Sequence, residues 1–252
     1  MLLILKLTIV PLGLLVFGIV ERLHGPRLAG WLAASPIVGG PILVFITLAH
    51  GAAFGASAAR GAYFGLIPWF AFTMSYAVCA RRLSWLWCTL VGISIWALVA
   101  SLTVQMQAGP RWLDILPFAA YVLVLFLYPR RPPSDEEREH VWWGLPARMI
   151  AGTILTIGVT EFATILGSHW AGAFATFPVM GSTIFISSHL QYGRHAVQEA
   201  VAGMSVGLAS VGTFCFVSYL LLGTMSIWGA FGLALLACLC AHALTWLMFK
   251  VH

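Results

Sequence analysis

Few residues in this chain are equipped for chemistry. Two acids, Glu21 and Glu161, stand in apolar surroundings, and His189 precedes a polar run that includes Arg194. Two proline-centred stretches carry glycines and hydroxyls: Ser35 and Pro36 with Gly39 and Gly40, and Pro178 with Gly181, Ser182 and Thr183. Acids embedded in a membrane are rare and usually functional, which makes Glu21 and Glu161 candidates for coupling or gating. An acid solvated at a helix end is the alternative reading. The cluster at His189, with Gln191, Tyr192, Arg194, His195 and Glu199, suits an anionic headgroup or a gate; an ordinary polar loop is its plain alternative.

The proline stretches carry the strongest chemical expectation. Proline removes a backbone donor and clashes with the preceding helical turn, and the glycines beside it make an unwound segment easy. Backbone groups freed this way cannot face lipid, so they face protein or a wet cavity. A half-helix beginning there directs N–H groups forward, which favours negative charge. Neither stretch has a lysine or arginine at mid-membrane depth, so an anionic or phosphate-bearing substrate would be held by backbone N–H groups with Ser35, Ser182 and Thr183. The competing reading is that proline and glycine only kink helices and permit close packing.

The two stretches are copies of one unit. At a constant offset of 142, residues 28–66 align without a gap on residues 170–208, with 12 identities in 39 positions. The identities include Gly30/Gly172, Pro36/Pro178, Gly39/Gly181, Gly51/Gly193, Gly61/Gly203, Gly65/Gly207 and Leu66/Leu208. Glu21 and Glu161 correspond at an offset of 140, so the acids belong to the repeat as well.

Elements long enough to position these stretches follow from composition. The chain is 61% apolar and 8% charged, with mean hydropathy +0.95, and its apolar runs exceed the roughly 18 residues that mark a spanning helix. This excludes a water-soluble class and makes the net charge of +5 a topology signal rather than a sign of nucleic-acid binding. Nine helices are expected: 2–20, 28–50, 60–80, 84–106, 112–129, 146–166, 169–191, 196–222 and 226–249. A polar linker, Pro129 to His140, follows the fifth. The five cysteines all fall in apolar segments without a paired motif, which implies packing rather than disulfides or a metal.

Placing the N-terminus outside puts ten lysines and arginines in the cytoplasm: Arg22, Arg27, Arg81, Arg82, Arg130, Arg131, Arg138, Arg148, Arg194 and Lys250. Arg60 and Arg111 then lie outside, and Lys6 within the first helix. With an unrepeated fifth helix, helices 1–4 and 6–9 enter the membrane from opposite sides. The expected fold is therefore an all-α polytopic membrane protein of about nine transmembrane helices in two inverted-topology repeats, with helices 2 and 7 broken. Its parts are 1–110 (repeat 1), 111–145 (connecting helix and cytoplasmic linker) and 146–252 (repeat 2). Pro36 and Pro178 each lie nine residues from a membrane face, about 14 Å deep at 1.5 Å per residue, which is the middle of the bilayer. Paired broken helices in inverted halves point to a transporter's central site.

Zinc, nucleophile-elbow, phosphate-loop and dinucleotide motifs are absent. An intramembrane enzyme acting on a lipid-linked substrate, with Glu161 or His189 as base, stays open because such pairs can come from distant helices. A scaffold subunit of an envelope complex is the third reading.

Ala171-Gly172, Phe177-Pro178, His189, Gly193-Arg194 and the glycine-bearing helix after them resemble the GlpM-like small bacterial membrane proteins, as does Ile67-Pro68-Trp69-Phe70 in the first copy. Those proteins are about half this length, so the chain looks like a fused or duplicated version. The first copy departs at Ser35, where the second has Phe177, and at Thr47, where the second has His189. The resemblance implies a bacterial cytoplasmic-membrane location and a connection with the envelope. The resulting expectation is a small transporter or lipid-intermediate flippase without cofactor or metal. Membrane lipids, a small anionic or lipid-linked substrate and a second copy in a homodimer would be its partners.

Overall fold

The computed structural model describes residues 2–127 and 167–251, with 146, 149, 150, 153, 154 and 165 between them. The described residues are helical almost throughout: α1 (Leu2–His24), α2 (Pro26–Ala33), α3 (Gly39–His50), α4 (Ala52–Phe64), α5 (Leu66–Cys79), α6 (Trp85–Met106), a 3-10 turn (Arg111–Asp114), α7 (Ile115–Leu127), α8 (Ser168–Ala175), α9 (Val179–Leu221) and α10 (Ile227–Val251). Most of the expected helix 146–166, the linker 129–140 and Glu161 lie outside the described residues.

Among the described residues, four segments are long and apolar enough to cross a membrane: Ala52–Cys79, Trp85–Met106, Ser168–Leu221 and Ile227–Leu247. The 28 residues of the first reach about 42 Å at 1.5 Å per residue, more than a hydrocarbon core of about 30 Å. The 54-residue segment Ser168–Leu221 is not one rod. It is interrupted between α8 and α9, and α9 turns at Gly193 (φ 79°, ψ −166°).

The two copies fold alike through their short first helices and the breaks that follow. α2 and α8 are both eight residues long, and their ends differ by 142. Each is preceded by a glycine with positive φ, Gly25 and Gly167. At the breaks, Ile37 N donates to Ser35 O (2.8 Å) as Val179 N does to Phe177 O (2.7 Å). The next turn repeats the match, with Gly40 N on Pro36 O (2.9 Å) and Ser182 N on Pro178 O (2.7 Å). The i to i+2 bond is an inverse γ-turn, which costs no donor because proline has none to offer.

The expected helices 60–80 and 196–222 begin earlier than the sequence pattern predicts, α4 at Ala52 rather than about 60 and the second half of α9 at 194 rather than 196. A single glycine makes each preceding turn, Gly51 at φ 88° and Gly193, in a region that side chains bearing a Cβ do not reach cheaply. Helix thus meets helix with no loop between, and α3 folds back on α4.

Packing between the copies is reciprocal. A Cβ on Gly30 would collide with the Ala200 carbonyl, and one on Gly172 with the Ala58 carbonyl. Gly203 abuts the Arg27 carbonyl, and Gly61 lies under the His169 carbonyl; Gly207 meets Ala34, and Gly65 meets Thr176. Adding 142 to one partner and subtracting it from the other turns each contact into its mate, which is the signature of a two-fold axis between the copies. An aromatic core packs beside these contacts, with Phe64, Phe72, Tyr76 and Phe185 fully buried and the Phe72 and Phe185 rings stacked at 6.2 Å. α6 and α10 present Leu90, Leu98, Leu102, Leu236 and Leu244 outward, as lipid-facing helices do.

Candidate functional site

The two breaks meet at one cavity of about 60 Å³, room for roughly four waters by volume. Ser35, Pro36, Gly39 and Gly40 line it from the first copy, and Pro178 and Gly181 from the second. Eight pairs of lining residues are related by the offset of 142, including Ala34/Thr176, Pro36/Pro178, Gly39/Gly181 and Leu66/Leu208. The cavity therefore sits on the axis that relates the copies.

Its walls are mostly apolar, with Leu43, Trp69, Phe177, Phe214 and Cys215 completing them. Ser35 and Thr176 are the polar side chains of the lining. Ser35 Oγ donates to Leu32 O, and Thr176 Oγ1 donates to Ala173 O at 3.2 Å. Ser182 and Thr183 are not part of the lining. They are buried, and their hydroxyls bond back to the helix, Ser182 to Pro178 O (2.6 Å) and Thr183 to Met180 O (3.0 Å). A hydroxyl committed this way offers a ligand lone pairs but no proton. Donation to an anion from these side chains requires that they first turn away from their own carbonyls.

Of the coupling and gating candidates, Glu21 falls in α1, its side chain outside the described residues, and Glu161 lies outside them altogether. His189 is half-buried and meets Tyr76 edge-on at 6.3 Å, away from the cavity lining. Arg194 donates to Arg81 O (2.8 Å) and Gln198 to Ala77 O (2.7 Å). Both secure the turn at Gly193 to the C-terminal end of α5, where a cation complements the helix dipole.

Two polar assemblies escaped the sequence reading. Arg60 donates to both Asp114 Oδ1 (2.8 and 2.9 Å) and the Gln107 carbonyl (2.6 Å), pinning α4 to the segment between α6 and α7. Trp31 stacks on His242 at 3.9 Å and donates to Thr245 (3.1 Å), while His242 Nδ1 pairs with Ser210 (2.7 Å). Spacing could not reveal either, since their members are 32 to 214 residues apart. No protein-family model matches the chain, and neither does any curated protein or solved structure.

Proposed function

We propose that the chain is a small membrane transporter or lipid-intermediate flippase, working by alternating access at the cavity between Pro36 and Pro178. The observation that carries this is the meeting of two broken, mated helices on one two-fold axis, with a cavity between them. Inverted repeats are part of the proposal. What supports them is the position of the mated turns: Gly51 opens the Ala52–Cys79 segment at one end, whereas Gly193 is tied through Arg194 to Arg81 at the other. If that segment crosses the bilayer, the copies face opposite ways.

In this reading the protein has nine spanning helices, its N-terminus outside and its C-terminus inside by the distribution of basic residues, in a bacterial inner membrane as the resemblance to the GlpM-like proteins implies. An anionic or phosphate-bearing group would rest on the backbone donors of the two half-helices, with Glu21 and Glu161 in coupling. The enzyme alternative draws no support from His189, which stands apart from the cavity.

Cysteine accessibility tests the reading without a known substrate. In a protein freed of its five native cysteines, Ala34→Cys and Thr176→Cys place single thiols on opposite cavity walls. Alternating access expects a membrane-impermeant maleimide to reach each position from both sides of the membrane. Folded protein in which neither thiol reacts from either side is a packed scaffold, and the proposal fails.

A further inference from the structure

A second, larger cavity of about 540 Å³ opens where α7 leans on α4, α5 and α9. Its wall contains Leu66, Phe118, Tyr121, Leu208 and Phe216, and its mouth carries Arg111 and Asp114. Phe118 and Ile115 on its rim are more than half exposed, which for a segment between spanning helices means exposure to acyl chains. The polar end is not neutral. Asp114 is already occupied by Arg60 at 2.8 Å, whereas Arg111 makes no hydrogen bond or ion pair to another described residue. One free cation at the end of an apolar slot complements an anionic headgroup on a hydrocarbon tail.

The slot also has a back wall with meaning. Leu66 and Leu208, mates under the offset of 142, line both this cavity and the central one. They are buried at 3% and 2% exposure, so a two-leucine partition separates the cavities. The helix that builds the slot, α7, belongs to neither copy, and it rests on α9 through Tyr121, whose hydroxyl donates to Val206 O (3.2 Å).

We infer that this lateral cavity binds the acyl chain of an anionic bilayer lipid, with Arg111 at its headgroup and Leu66 and Leu208 as the gate to the central cavity. The role of the gate rests on the transport reading; the lipid binding does not. An amphiphile would then enter sideways from the bilayer, tail first along α7.

Photolabelling tests it. The intact protein is reconstituted in phosphatidylcholine vesicles containing either phosphatidylglycerol or phosphatidylcholine with a photoactivatable acyl chain, and labelled peptides are mapped. The expected result is labelling around Phe118 and Thr213 that favours phosphatidylglycerol about fivefold, the size of one interfacial charge contact. Arg111→Gln should abolish that preference. Ala209→Phe, which fills the slot, should cut labelling with both lipids while the thermal midpoint holds. The double variant Leu66→Ala, Leu208→Ala should let label reach Trp69 and Val211 in the central cavity. Equal labelling by both lipids, indifference to Arg111→Gln, or labelling no denser there than at Leu98 and Leu102 on α6 overturns the lipid site. Label that stops at the leucine pair in the double variant overturns the gate. Should the Ala34→Cys and Thr176→Cys variants fail to alternate while labelling behaves as expected, transport is lost and the lipid site stands; the opposite outcome leaves transport and removes lateral entry.

Discussion

Gly30 and Gly172 hold the copies together by having nothing to place between backbones. A methyl at either would strike a carbonyl of the facing helix, Ala200 or Ala58. Overpacking of this kind costs about 1–3 kcal/mol. Gly30→Ala and Gly172→Ala should therefore lower the thermal midpoint in detergent by similar amounts, because the contacts are mates. Gly232→Ala, which meets open space, should leave it unchanged; equal loss in all three variants would refute reciprocal packing. Arg60 offers a second test. Arg60 and Asp114 are both largely withdrawn from solvent, with side chains 14% and 13% exposed, and removing one member of such a pair costs about 3–5 kcal/mol when fully buried. Arg60→Ala should fall below that range while still destabilising more than Arg111→Ala, as thermal unfolding in detergent will show. At this scale the sequence was most informative where the copies agreed; where they differ, Ser35 and Gly40 were still marked by their place beside the proline, and both line the cavity. Pro36, Gly39, Pro178 and Gly181 stood out because they repeat, and all four line the cavity. Thr176 lines it too, yet its mate is Ala34, so nothing in the alignment marked it.

Helix turns, rather than helices, decide how the elements assemble. Gly51 and Gly193 each reverse the chain in one residue at a positive φ, a conformation that costs a residue with a Cβ about 1–3 kcal/mol. Gly51→Ala and Gly193→Ala should each destabilise by that order, although no Cβ contact opposes either. A neutral effect in unfolding assays would show that the turns relax. The broken helices were legible from proline and glycine spacing because those residues act through the backbone, whatever surrounds them. The starts of α4 and of the second half of α9 were not. Ala52 to Arg60 has too little hydropathy to look like a membrane helix, and its small residues are there to be covered, as buried Ala58 and Ala59 show. Close packing between helices removes the apolar signal that lipid exposure would have demanded.

On the scale of the whole molecule, the duplicated unit was readable and its consequence was spatial. An alignment says that residues 28–66 and 170–208 share a backbone; only packing reveals that each copy's short helix lies on the other copy's long one, α2 on α9 and α8 on α4. The lateral cavity was illegible for the same reason, since it is made where the unrepeated α7 meets both copies. Orientation is the claim that joins these facts. Four described arginines fall into two groups in space: Arg194 reaches the Arg81 carbonyl at one end of the Ala52–Cys79 segment, and Arg60 reaches the Gln107 to Asp114 stretch that also holds Arg111. The proposed orientation makes the first group cytoplasmic and the second external, in keeping with the positive-inside rule. Tags at the N-terminus and at Thr224 should then be reached from outside, and tags after Arg130 and at His252 from inside. Two ends labelled from the same side would require an even number of spans. The mated turns at Gly51 and Gly193 could still lie at opposite ends of α4–α5, but the unrepeated helix would no longer account for the inversion, and alternating access at the two prolines would lose its topological basis.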